Sequence, residues 1–582
     1  MKTKSCSIYA VLQTPLAGSV SHIVRAHIFV VTSVVLFLIP LSNSQSLPND
    51  PTTFTSSSEL VLIPAVVNDK SGAHLRGLKK EDFVLKQDGK LHLISFFEEV
   101  KTTSARTTRS QGEAGKFTNF DPTSPQYHRL SIIVLDFLNT PFSDQAIAKE
   151  ALVKFLREVA ESGEPMCLLV LGRGGLRMLH DFTDDPKLLV EGVRKIRSNP
   201  APLSHEPIAE AGHPATTDSL GEALTKMIRE QIQTENHLSS LAAKNQALMT
   251  VQGLEQVAKA FRGFPGRKAL LWASSGFPFS LSSPASLMCE PACPVHQRGE
   301  VQSAYDQLWK MMNDAQIAIY SVDLRASGSG LPSASETNFT HPYDVGDPQF
   351  DTDAQARWKM EDTRNSLQLF AENTGGKAFL GGGNLVQSFY QAIQDDTSYY
   401  MLGYYVSPQN TKPGWHDISV SVHGRDARLR YRKGFFLARD SSVSSAQQEI
   451  QLALSSPLDY TGVPLSVSWS GREPVRPPGK TKVQFELVMP ANFASIDESD
   501  QNHMIIDIVA AARNGTGDVV ADLSQRLDVH LPAAGLEQIR HNGLTYRGAL
   551  QLPAGEYSVR FVVRDSFGNR TGSVLAPVSV SP

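Results

Sequence analysis

Apolar positions along the chain change period several times, and each change marks a module. Leu60–Val67 is a β-rich run, Asn68–Gly72 a turn, and Phe83–Gln87 a strand that reaches Leu91–Phe97 through the hairpin turn Asp88-Gly89. From residue 130 the pattern alternates. Ser131–Leu135, Met166–Leu171, Ala269–Ala273 and Ile317–Val322 are short apolar runs suited to buried strands. Between them Ile147, Ala151, Leu152, Phe155, Leu156 and Val159 recur at helical spacing, and Asp185-Pro186 caps a helix through Ile196. Residues 220–261 read as more than one helix, and Tyr305, Leu308, Met311 and Met312 line another. Leu367, Phe370 and Ala371 mark a helix ended by Gly375-Gly376, before Lys377–Leu380 and Leu385–Ile393. After 397 helical spacing stops. Tyr399–Val406, Asp417–Val422 and Arg428–Arg432 read as antiparallel strands, and about seven alternating runs follow over 448–582.

The pattern divides the chain into a signal segment 1–44, a small β unit 57–100, a linker 101–128, an α/β domain 129–397, an antiparallel extension 398–437 and a β-sandwich 448–582. Strands alternating with helices predict an α/β class, a doubly wound, mostly parallel sheet with β modules on either side. Ligands of such sheets bind beyond the carboxyl ends of the strands. Asp136, Ser274, Ser275 and Asp323 fall on that edge.

Composition narrows the function. The 582 residues carry 55 basic and 59 acidic side chains and are 41% hydrophobic, which excludes a disordered tail and a generally basic nucleic-acid binder. Lys2, Lys4 and Arg25 precede the apolar run Ile28–Ile39, Pro40 breaks it, and Ser42-Asn43-Ser44 offers small residues for cleavage. The run is short of the roughly 20 residues a bilayer span needs, so export with cleavage near Ser44 is expected. An uncleaved N-terminal membrane anchor is the alternative. Cys6 leaves with the signal, Cys167 reads as a small core residue, and Cys289 and Cys293 flank a Pro-containing loop where either a disulfide or two free thiols fits.

Candidate chemistry is sparse. Asp136-Phe-Leu-Asn-Thr140 follows a buried strand, where a carboxylate and hydroxyls could hold Mg²⁺ or simply cap the turn. Trp272-Ala-Ser-Ser275-Gly276 is half of a nucleophile elbow, with Trp272 where a glycine is needed. The nearby pair His180-Asp181 cannot supply a base, because adjacent strand residues face opposite ways. Gly172-Arg-Gly-Gly175 fits a turn between two strands better than a phosphate loop. Arg428, Arg430 and Arg432 alternate as a solvated strand face would.

Several motifs in order resemble the bacterial VWFA-related domain family of the von Willebrand factor type A superfamily, over about residues 60–436. They are Gly77-Leu78, Glu81-Asp82-Phe83, Asp88-Gly89-Lys90, Ile94–Phe97, Leu135-Asp136, Asn139–Phe142, Gly266-Arg267-Lys268, Leu271-Trp272, Ser275–Pro278, Thr374–Gly376, Tyr399-Tyr400, Leu402–Tyr404 and Arg432-Lys433-Gly434. The resemblance implies a Rossmann-like type A fold with a metal-dependent adhesion site. Carried over, the metal residues are Asp136, Thr140 and Thr250, the last with Gly253; Asp218 is a second choice for the third position. Leu138 stands in place of a ligating serine and Ser275 in place of the distal aspartate, so the site reads as degenerate. The expectation is therefore an exported, non-enzymatic protein-binding module of adhesion type, without a required cofactor, whose partner is a protein and not a nucleic acid. The turn 137–144, the loop 276–298 and the insertion 326–360 are its expected contacts. A hydrolase using Ser275 or a metal on Asp136, and an envelope structural or carbohydrate-binding protein, are the alternatives.

Overall fold

The computed structural model describes residues 59–101, 115–119, 130–158, 165–197, 219–264, 266–277, 295–325, 364–381, 384–394, 398–407, 411–423, 427–437, 446–475 and 479–581. The signal segment, Asp218, Cys289, Cys293 and the 278–294 and 326–363 stretches lie outside them. The described residues belong to one compact unit, Ser57–Pro582.

Five sheets build that unit. The largest has the order Ala378–Phe379, Ile317–Asp323, Lys268–Ser274, Leu130–Asp136, Met166–Gly172, Gly175–Thr183. Its first five strands pair in parallel and the last is antiparallel. The antiparallel edge follows from Gly172-Arg-Gly-Gly175. Two residues make a hairpin turn, whereas a parallel return needs a crossover of a dozen or more. Gly175 takes the positive φ of +86° that this turn requires.

The other four sheets are antiparallel throughout. The expected class, a doubly wound and mostly parallel α/β fold, is thereby corrected. The chain is strand-rich and mainly antiparallel, with one mixed sheet. The physical reason lies in the flanking segments. Their alternating runs carry one apolar and one polar face, which suits antiparallel pairing.

Two of these sheets use strands from both ends of the central region. Glu59–Ala65 pairs with Val406–Tyr400, and Phe83–Gln87 with Val422–Ile418. Val61, Ile63, Leu85, Tyr400, Leu402, Ile418 and Phe435 fill one core between them. The expected strand Leu91–Phe97 is split. Lys90–His92 stays beside Phe83–Gln87, while Phe96–Lys101 crosses to pair with Gly403–Ser398 in the facing sheet. The last two sheets form a sandwich over Val463, Phe485, Ile506, Phe561 and Val574. Lys116–Thr118, from the stretch read as a linker, adds an edge strand to it beside Ser468–Ser466.

Helices cover both faces of the mixed sheet. Phe142–Glu158, Pro186–Arg194 and Leu385–Gln394 pack on one side through Leu152, Phe155, Val193 and Phe389. Ser219–Phe261, Val295–Asp314 and the helix 364–374 pack on the other through Val251, Leu254, Tyr305 and Phe370. The segment expected as several helices is the single helix Ser219–Phe261. Asp185 caps Pro186–Arg194 as its sequence predicts, accepting from Lys187 N at 2.8 Å.

Candidate site at the carboxyl ends of the mixed sheet

Leu130–Asp136 is buried along its whole length, so Asp136 is delivered to the end of the strand with no exposed surface. A carboxylate there needs partners, because an unpaired buried charge is costly. It has them. Asn139 donates its backbone N–H to Oδ1 at 3.1 Å and its side-chain amide to Oδ2 at 2.7 Å. The Trp272 indole donates to Oδ2 at 3.1 Å. Ser274 Oγ lies 2.9 Å from Oδ2 and 2.8 Å from Gly276 O, so its one proton serves one acceptor at a time. Burial outweighs these donors and pushes the Asp136 carboxyl up to about 6.

The structure brings the three carried-over residues into one network. Thr140 Oγ1 donates to the Asp136 carbonyl at 2.5 Å and accepts from Ser275 N at 3.2 Å. Thr250 Oγ1 donates to Gln246 O at 2.9 Å and accepts the Asn139 amide at 2.8 Å. The Asn139 nitrogen thus bridges Asp136 and Thr250. Its orientation is fixed, because Gln246 Nε2 donates to Asn139 Oδ1 at 2.9 Å and a carbonyl turned toward the carboxylate would be repelled. N–H and O–H donors therefore occupy the carboxylate, and Leu138, at the position where the resemblance asks for a ligating serine, is an apolar side chain packed in the core. As arranged, the set does not fit Mg²⁺, a cation that wants near-octahedral oxygen ligands.

Asp144 and Asp323 complete the edge. Ser275 Oγ donates to Asp144 Oδ2 at 3.4 Å, and burial holds the Asp144 carboxyl above its ordinary value despite that bond. Arg325 closes on Asp323 in a two-pronged pair, Nε to Oδ1 and Nη2 to Oδ2, both at 2.9 Å. These buried carboxylates face protein donors. The side chains that face solvent are different. Pro141, Phe142 and Ser143 are exposed, Phe142 to 57%, and Leu380 is exposed where Ala378–Phe379 ends.

The hydrolase alternative depends on a base for Ser275. Asp144 is the partner of its hydroxyl. His180 sits on the antiparallel edge strand, three strands away or about 14 Å at ordinary spacing, with Nδ1 2.7 Å from Asp181 O. Three residues of the network carry no motif of their own: Gln246, Trp272 as an indole donor, and Asp144. For Gln246 a signal existed, since it lies four before Thr250 and so on the same helix face.

Elsewhere, a cleft of ≈ 600 Å³ runs between the helices and the sandwich, past Lys259, Arg262, Lys310, Asp306, Asp314 and Glu449. Its mixed charges offer no ligand of one sign a preferred seat.

No family model and no curated protein matches the chain. Among solved structures it is similar to the pilus adhesin SpaC from Lactobacillus rhamnosus GG in the open conformation, at 8% identity and a TM-score of 0.23. The match covers 88% of this chain and 58% of the adhesin chain. A likeness of that strength assigns neither fold nor function.

Proposed function

We propose that the protein is an exported, non-enzymatic binding protein of adhesion type, which holds a protein partner at the carboxyl-end edge of the mixed sheet. Membership of the VWFA-related family is part of this proposal. The observation that carries it is the contrast within the edge. Asp136 and Asp323 are buried and engaged by protein donors, while Pro141, Phe142 and Ser143 stand exposed on the turn beside them. Such an edge offers surface complementarity instead of an activated nucleophile or a ready cation seat. An exposed aromatic is the kind of residue that anchors protein interfaces. The internal amide bridge at Asn139 makes the face independent of metal.

The test takes a partner captured from cell-envelope extract and titrates it against the chain with and without EDTA, then against Asn139→Arg and Phe142→Asp. Binding is expected to survive chelation and to weaken at least ~10-fold in Phe142→Asp, as for a hot-spot aromatic. Loss with EDTA and recovery with Mg²⁺ would make the adhesion site a working metal site. Full binding by both folded variants would move the interface to another face.

A further inference from the structure

We propose that the C-terminal sandwich carries a zinc site built from Asp500, His503 and His530, with Asp528 as its supporting carboxylate. The site is separate from the edge described above and does not depend on that reading.

The sequence places these side chains together through strand register. His503 opens the strand His503–Arg513 and His530 closes Val519–His530, and the antiparallel pairing sets the two residues directly opposite each other. Asp500 comes from the turn just before His503. That turn is pinned to the far strand by Leu531 N donating to Asn502 O and Asn502 Nδ2 donating to Leu531 O, both at 3.1 Å. Three ligand atoms converge, all within 4.8 Å of one another. His503 Nδ1 is 3.0 Å and His530 Nε2 3.6 Å from the same oxygen, Asp500 Oδ2. Ligand atoms about 2.0–2.1 Å from a tetrahedral zinc stand roughly 3.3 Å apart, so the observed separations straddle the required one.

The second observation concerns the other nitrogen of His503. Nε2 lies 2.7 Å from Asp528 Oδ1. A metal-bound histidine commonly donates its remaining N–H to a carboxylate, which fixes its tautomer and strengthens it as a ligand. Asp528 is placed for that role with Nδ1 left toward Asp500 and His530. Two imidazoles and one carboxylate suit zinc better than calcium or magnesium, which prefer oxygen alone. The imidazole rings stack at 4.2 Å with 12° between planes, so a cation in the plane of both requires His530 to tilt. Its side chain is 50% exposed and has the room.

Calorimetric titration of the full chain with ZnCl₂ tests the proposal, with CaCl₂ and MgCl₂ as comparison salts. Expected is one zinc per chain that is lost, by 100-fold or more in affinity, in both Asp500→Asn and His530→Ala. Asp528→Asn should weaken binding about 10–100-fold, the range for removal of a supporting carboxylate. His541→Ala, on the helix Ala533–Asn542 and outside the cluster, should bind as the unaltered chain does. Circular dichroism of each variant, and a zinc-dependent rise in melting temperature present in the unaltered chain and absent from His530→Ala, separate loss of the site from loss of the fold. No zinc uptake, equal uptake by the folded variants, or equal binding of Ca²⁺ would overturn the assignment.

Discussion

At Asp136 two forces act on one carboxyl group, and burial prevails. The folded state holds its proton more tightly than the unfolded chain does, with the carboxyl moving from 3.8 to about 6. A raised carboxyl pKa contributes stability below the unfolded value and loses it as pH rises through the folded one. The chain should therefore lose up to roughly 3 kcal/mol between pH ~4 and ~7 through this residue. Urea midpoints across that window should fall more steeply in the unaltered protein than in Asp136→Asn. Equal slopes would assign the titration to another group. Ser275→Ala should be nearly silent, since its 3.4 Å bond to Asp144 is long. A change within about 1 kcal/mol in stability, and no change in turnover of ester substrates, is expected. Asp136 itself was legible in the sequence, because it ends an unbroken apolar run. Its distant partners Trp272 and Ser274 were not assigned that role, since more than a hundred residues separate each from it and no local period records such contacts.

At the scale of elements, the residues that carry the family resemblance mostly hold segments together. Arg267 is buried and donates to Tyr320 Oη at 3.1 Å and Gly375 O at 2.9 Å, while its backbone N–H donates to Tyr399 Oη at 3.0 Å. Tyr400 Oη donates to Leu75 O at 2.8 Å and accepts from Leu78 N at 3.1 Å. Gly376 is packed so tightly that a Cβ would stand 1.9 Å from Ile319 O, and at Gly375 it would stand 2.7 Å from Arg432 N with φ at +77°. Gly376→Ala should thus cost more than about 3 kcal/mol, or prevent folding. Gly174→Ala, where no atom lies within 4 Å of the added carbon, should stay within about 0.5 kcal/mol. Thermal melts of the two variants side by side check this, and similar losses would contradict the packing argument. Periodicity located most strands and helices before residue 397, because each buries a face of definite period. It missed the strand Lys116–Thr118, and also the helices Ala446–Ser455 and Ala533–Asn542, which lie beyond the point where helical spacing stops in the sequence. It misjudged Leu91–Phe97, where the chain leaves one sheet for the facing one. A crossing between sheets preserves the apolar run while breaking the pairing, so the run alone cannot show it.

The whole molecule joins pieces that are far apart in sequence, and this is where sequence reading stops. Nothing in the Glu59–Asn68 pattern says that its partner is Ser398–Val406, on the far side of the mixed sheet and its helices in sequence. The sandwich is tied to the helical layer at one seam. Gly263 N donates to Thr461 Oγ1 at 2.9 Å, and Thr461 Oγ1 donates to Ala260 O at 2.7 Å. Nearby, Arg564 pairs with Glu449 at 2.8 Å, both residues being buried. At Gly263 a Cβ would stand 2.1 Å from the Thr461 backbone oxygen, so the seam has no room for a side chain. The sandwich has its own core in Val483, Phe485, Ile508, Val559 and Phe561, while Ala511 and Val562 on its outer face, with Leu458 and Tyr460, pack into the core of the helical layer. Prising the seam open should therefore leave the inner core of the sandwich packed while stripping part of the cover from the core of the helical layer. Gly263→Ala is expected to convert a single calorimetric transition into two, with the later-melting one retained in a fragment protected from limited proteolysis. Thr461→Val, which removes the hydroxyl and leaves the Gly263 donor unpaired, should act in the same direction by about 1–3 kcal/mol. A single unshifted transition in Gly263→Ala would mean that the coupling does not run through Gly263, and that the shared packing of Ala511, Val562 and Tyr460 holds the sandwich to the helical layer.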